Sequence, residues 1–137
     1  EVYEPLYPLL KHKPEFLFEA AQSLSKTGQY EKANEYLERA VLLSSDPMLY
    51  YVMAKNEQCL GEYRQAEKHL LHAIDILPER IYPYYLLMNL YTEPSYFQPA
   101  KLKKAIDSVL TKKPKVESSA IKEMKEKARS MLNNTSI

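Results

Sequence analysis

Glycine is scarce in this chain of 137 residues: only Gly28 and Gly61 are present, against nine prolines. A phosphate-binding P-loop needs two glycines five residues apart and a dinucleotide-binding GxGxxG loop needs three, so both motifs are excluded. The single cysteine, Cys59, excludes an internal disulfide and a cysteine-based zinc site. The longest apolar run, residues 81–88, falls far short of the ~20 residues that a membrane-spanning helix requires.

The chain also has no large excess of positive or negative charge: 19 basic and 18 acidic residues give a net charge of +1. This balance gives no global argument for a nucleic-acid or membrane partner. The charge is nevertheless unevenly placed: residues 101–129 contain ten basic and four acidic residues, a local +6. A basic end of this kind can bind anionic lipid head groups or an acidic partner. The alternative is that it is a lysine-rich cap exposed to solvent. Nucleic acid is not expected, because the basic stretch has few aromatic side chains for base stacking.

The two glycines lie 33 residues apart, and their surroundings repeat in register. The matching residues of the two copies are Gly28, Tyr30, Ala33, Leu37 and Ala40, and then Gly61, Tyr63, Ala66, Leu70 and Ala73. A period in the thirties, built from apolar positions at helical spacing, predicts a solenoid of helix-turn-helix units. Each glycine is predicted to end the first helix of its unit, where positive φ is least costly without a Cβ.

The repeat resembles the tetratricopeptide repeat, whose signature runs W-x2-L-G-x2-Y, then A-x3-F, then Pro. Here the second part appears as Ala33-x3-Leu37 and as Ala66-x3-Leu70 followed by Pro78. The sequence departs from the signature at Glu57, where a large aromatic residue is expected. A third, degenerate unit has the segment TEPSYFQP (residues 92–99) in place of a glycine turn, which predicts a longer loop pinned by aromatic residues.

The predicted fold is therefore all-α: a right-handed superhelix of three helix-turn-helix repeats with a C-terminal capping helix. The predicted helices are 14–27, 30–44, 47–60, 63–77, 81–92, 99–112 and 117–132. The chain is predicted to form one domain. Its parts are an N-terminal extension that packs on the first repeat (1–13), three repeats (14–46, 47–80 and 81–114), and a capping helix with a tail (115–137). Because the chain opens on Glu1 rather than Met, we expect a fragment or a mature form.

Residue types that could support catalysis or metal binding are present but poorly arranged. His69 and His72 are three residues apart on a helix, and a third ligand would have to converge from another element. The repeat register predicts two solvated histidines instead. Cys59 is predicted to be a buried or half-buried structural cysteine. We therefore expect no catalytic residue, no metal site and no cofactor in this chain.

The opening core positions of the three repeats are predicted to be Leu17, Tyr50 and Tyr84. An aromatic residue directly follows each of them, at Phe18, Tyr51 and Tyr85. A helical step of ~100° turns these side chains from the core toward the concave face. Polar side chains one turn or more later would line the same groove: Gln22, Ser25, Lys55, Gln58 and Asn89. These eight residues form the predicted partner-binding groove for a peptide or partner helix. The alternative is that the aromatic residues only pack against neighbouring helices.

Three stretches outside the repeat signature resemble one particular group of proteins: residues 7–24, 77–91 and 112–132. They are similar to the soluble C-terminal tail of O-antigen ligase/polymerase-like membrane proteins of Bacteroidetes. This resemblance implies a non-catalytic protein–protein interaction module, tethered at the bacterial inner membrane with its side uncertain. The attached glycan ligase or polymerase would then have its active site in a separate membrane domain. Binding of a glycan or lipid-linked sugar and homodimerisation are the alternative functions.

Overall fold

The computed structural model describes residues 13–134, and all regular secondary structure within this range is helical. The helices are α1 (Pro14–Lys26), α2 (Tyr30–Ala40), α3 (Pro47–Cys59), α4 (Tyr63–Ile76), α5 (Tyr82–Leu90), a 3-10 turn (Pro94–Tyr96), α6 (Pro99–Thr111) and α7 (Ser119–Asn134). The chain divides into two compact units, Glu1–His69 and Leu70–Ile137. The predicted packing of the N-terminal extension falls on residues 1–12 and so lies outside the described residues.

Two turns of the first unit have the same hydrogen bonds at the 33-residue period. After α1, the N–H of Gly28 donates to the Ser25 carbonyl at 3.1 Å and that of Gln29 to the Leu24 carbonyl at 2.9 Å. After α3, Gly61 and Glu62 donate to Gln58 and Glu57 at 3.1 and 2.8 Å. Both glycines have positive φ, +82° and +78°, as this helix-ending motif requires. The predicted glycine turns are confirmed.

Proline and aspartate set the helix starts. Pro14, Pro47 and Pro99 each begin a helix, where the missing N–H removes no intrahelical hydrogen bond. Asp46 caps α3, since its Oδ1 accepts from the Met48 N–H at 3.0 Å.

Helix α2 ends at Ala40, four residues before the predicted end at residue 44. The N–H groups of Leu42 and Leu43 donate to the carbonyls of Arg39 and Ala40, three residues back, so the chain tightens into turns. Pro47 then holds the residue before it in an extended conformation and starts the next helix.

The core of the first unit lies between α1, α2 and the start of α3. Small residues lie where the helices approach closely. Four of them are completely buried: Ala20, Ala21, Ala33 and Ala40. Larger apolar side chains fill the remaining space: Phe16, Leu17, Leu24, Tyr36, Leu37, Leu49 and Met53. Removing this surface from water supplies the main stabilisation of the unit.

The second unit packs α5 against α6, and α7 against both. Its buried side chains come mainly from α5 and α6: Leu86, Leu87, Met88, Leu90, Leu102, Ala105, Ile106 and Val109. Helix α7 buries Ala128 and leaves much of its remaining surface exposed, as in a helix that covers one side of a core. The α5–α6 loop is held by the Gln98 N–H, which donates to the Tyr91 carbonyl at 3.2 Å. Phe97 is 51% exposed, so this aromatic residue does not pin the loop as predicted.

Candidate functional site

Six of the eight predicted groove residues lie on one pair of helices in the first unit. Helices α1 and α3 contact each other, and each carries three of the residues at the spacing i, i+4, i+7. We call this surface the α1/α3 face; it consists of Phe18, Gln22, Ser25, Tyr51, Lys55 and Gln58.

Exposure differs strongly along the α1/α3 face. Gln22 and Lys55 are exposed, whereas Phe18 and Gln58 are half-buried. Tyr51 is only 5% exposed, so its ring does not form the open aromatic floor that the sequence predicts. Phe18 also packs against the core of the unit. The face therefore presents polar side chains above a largely covered aromatic layer.

Ser25 carries an unsatisfied hydroxyl on this face. Its Oγ is buried and has no hydrogen-bond partner within residues 13–134. A buried polar group left without a hydrogen bond costs about 1–3 kcal/mol. Because less than 1 Å² of this oxygen is accessible, it lies beneath the surface and is not a contact point for a ligand.

The other two predicted groove residues, Tyr85 and Asn89, lie on α5 in the second unit. The Tyr85 ring stacks on Tyr82 with centroids 6.4 Å apart, and the Lys127 Nζ lies 5.5 Å from its centroid. Helix α7 thus reaches Tyr85 and leaves it half-buried. Asn89 Oδ1 is buried and, in the described part of the chain, accepts no hydrogen bond.

A buried asparagine pair, not anticipated from the sequence, joins α2 to α3. Asn56 Nδ2 donates to Asn34 Oδ1 at 2.8 Å, and Asn34 Nδ2 donates to the Met53 carbonyl at 3.2 Å. Both side chains are less than 10% exposed. The bonded pair fixes how α2 sits on α3, because an unpaired amide at this depth would be costly.

Glu57, the residue that departs from the repeat signature, pairs with His69. The imidazole Nδ1–H donates to Glu57 Oε1 at 2.8 Å, and the imidazole lies 5.8 Å from the Tyr50 ring between centroids. The prediction that His69 is solvated is therefore wrong, whereas His72 is exposed as expected. Glu57 is buried and His69 is half-buried, which is typical of a pair that stabilises the packing of two helices.

Cys59 is exposed, so the prediction of a buried or half-buried cysteine is also wrong. It is the last residue of α3, beyond the last buried position of that helix. A hydrogen bond with the Cys59 thiol, its charge interaction and desolvation raise the pKa of the Tyr30 hydroxyl above the ordinary value of 10.0.

No three His, Cys, Asp or Glu side chains in residues 13–134 are grouped so that they could hold a metal ion. Over the same range, no helix has both the length and the apolar character needed to cross a membrane.

Comparison with known structures defines the class of protein. Two solved structures, "Crystal structure of MamA" and "Crystal structure of MamA protein", match with TM-scores of 0.73 and 0.72. They are 20% and 19% identical in sequence, and both matches cover 96% of this chain and 75% of the other chain. The chain is an all-α domain of the tetratricopeptide-repeat type, and this fold prediction is confirmed.

Comparison with family models identifies the family. Residues 1–73 match the model described as "Anaphase-promoting complex, cyclosome, subunit 3", and the chain belongs to this family. A search of the curated proteins finds no match. Domains of this type are generally non-catalytic and bind other proteins.

Proposed function

We propose that this domain binds an extended segment of a partner protein on the α1/α3 face. The observation that carries the proposal is the exposure of Gln22 and Lys55 on two helices that contact each other, beside the half-buried Phe18. The tetratricopeptide-repeat fold supports a protein ligand. The family description, which names a subunit of a complex, supports it further.

The chemistry of the face favours a peptide with accessible backbone groups. The exposed amide of Gln22 can both donate and accept, so it can pair with the backbone of an extended chain. The Lys55 ammonium suits a carboxylate, and a charge-assisted hydrogen bond there would contribute more than a neutral one. The half-buried Phe18 ring adds an apolar contact beside them.

The experiment is a binding comparison with selected peptides. Ligands would be selected from a displayed random peptide library, and their Kd values measured by calorimetry against Gln22→Ala/Lys55→Ala. Loss of one neutral and one charged contact should weaken binding about tenfold or more. The matched control is Gln65→Ala/Lys68→Ala, which removes the same two residue types from exposed positions on α4. Equal loss in both variants, or in neither, would contradict the proposed face.

The cellular context is a finer part of the proposal. The resemblance of residues 7–24, 77–91 and 112–132 to the tails of O-antigen ligase/polymerase-like proteins suggests tethering at a bacterial inner membrane. Neither the family description nor the titles of the similar structures names a glycan-transfer protein, so the resemblance alone supports this context. Sequencing the gene upstream of Glu1 tests it, since several apolar segments of spanning length should precede the domain. A start codon directly before Glu1 would contradict it.

The alternative functions have their own measurements. Titration with oligosaccharides, followed by tyrosine fluorescence, would detect a glycan-binding module among the 12 tyrosines. Sedimentation at several concentrations would detect a homodimer.

A further inference from the structure

A second surface of the molecule is distinguished by its positive charge. The junction between α6 and α7 carries basic side chains on both sides of a short loop, residues 112–118. We call this surface the basic junction; it consists of Lys112, Lys113, Lys115, Lys122 and Lys125. None of these residues belongs to the α1/α3 face.

Two lysines of the basic junction are held in place by the fold. Lys125 Nζ donates to the carbonyls of Lys112 at 2.9 Å and Leu110 at 3.3 Å, and so satisfies the end of α6. Lys112 Nζ lies 4.8 Å from the centroid of the Tyr84 ring, a cation–π contact with α5. These contacts tie the start of the loop to α5 and α7.

The remaining three lysines of the junction point their charge toward solvent. Lys113, Lys115 and Lys122 are exposed, and within residues 13–134 none of them forms an ion pair. Their charge is therefore available to a partner. We propose that the basic junction binds an acidic segment of a partner protein, separately from the α1/α3 face.

An acidic polypeptide fits this surface better than an anionic membrane does. Residues 101–129 carry ten basic and four acidic residues, so the charge around the junction complements an acidic chain. Val116, at 76% exposure, is the one exposed large apolar side chain of residues 112–118, which gives little surface for insertion into lipid.

The test measures binding of a fluorescently labelled octaglutamate peptide by anisotropy at low salt, using the whole chain. The variant is Lys113→Glu/Lys115→Glu/Lys122→Glu, and the matched control is Lys13→Glu/Lys26→Glu/Lys68→Glu, three exposed lysines of the first unit. The junction variant should bind about tenfold more weakly, with little change in the control. Because all six positions are exposed, the variants should fold; the milder set Lys113→Gln/Lys115→Gln/Lys122→Gln should show a smaller loss in the same direction.

Three results would overturn the proposal. One is no binding of octaglutamate at low salt, and another is equal loss in the junction variant and the control. The third is tighter binding to phosphatidylserine-containing vesicles than to octaglutamate, dependent on the same lysines; this would assign the surface to a membrane. Gln22→Ala should leave octaglutamate binding unchanged, so the two proposed sites can fail independently.

Discussion

The imidazole Nδ1 of His69 lies 2.8 Å from Oε1 of Glu57, with the carboxylate side chain only 6% exposed. Glu57 stands where the repeat signature has a large aromatic residue, at the end of α3. The carboxylate is compatible with burial because the hydrogen bond offsets part of its desolvation. His69 also lies beside Tyr50, so one imidazole connects α4 to two positions of α3.

His69→Ala should lower the free energy of unfolding by about 2–4 kcal/mol, because it leaves a buried carboxylate without this partner. The double variant Glu57→Leu/His69→Leu should be much closer to the wild type, since it removes both polar groups together. Urea denaturation followed by circular dichroism at neutral pH measures both. The exposed His72→Ala is the control, and an equal loss there would contradict the structural role of the pair.

The positions of the helices could be predicted from the sequence because they depend on local signals. Pro14 and Pro47 mark helix starts, and the two glycines mark turns. The structure places these starts and turns within one or two residues of the predicted positions. The end of α2 was less predictable, since residues 41–44 have no turn-forming glycine. At Ala40 the helix gives way to three-residue turns instead.

The side-chain environment was less predictable because it depends on how each helix is rotated against its neighbours. The sequence predicts Tyr50 in the core and Tyr51 on the groove, whereas Tyr51 is buried and Tyr50 is half-buried beside His69. Adjacent positions differ by ~100° around a helix, so a modest rotation exchanges their exposure. The pairing of Glu57 with His69 joins two helices and has no signal in either helix alone.

Gly61→Ala should lower the free energy of unfolding by about 1 kcal/mol, and Gly28→Ala by a similar amount. A Cβ at either position meets nothing within 4 Å, so the cost comes from positive φ rather than from a clash. Asparagine tolerates this conformation better than alanine, so Gly61→Asn should cost less. Chemical denaturation of the three variants tests this, and equal losses for Asn and Ala would argue against backbone strain.

Asp46→Ala should lower the free energy of unfolding by about 1 kcal/mol, because the Met48 N–H loses its side-chain acceptor at the start of α3. Asp46→Ser retains a capping oxygen and should restore most of the loss. The exposed Asp75→Ala on α4 is the control for loss of a carboxylate. Thermal unfolding would reveal the order of the four proteins; an Asp46→Ala midpoint equal to that of the control would contradict the cap.

Cys59→Ala should lower the pKa of Tyr30 toward 10.0, because it removes the thiol hydrogen bond that favours the protonated hydroxyl. Since the folded-state pKa is raised, this contribution to stability is present below pH 10 and is lost as the pH rises through the folded-state value. Alkaline titration of tyrosine-labelled protein by NMR resolves the Tyr30 ring from the other tyrosines. Cys59→Ser keeps a group that can hydrogen-bond, so it should retain more of the shift than Cys59→Ala. If the pKa of Tyr30 is the same in Cys59→Ala as in the wild type, the Cys59 thiol does not stabilise the protonated phenol.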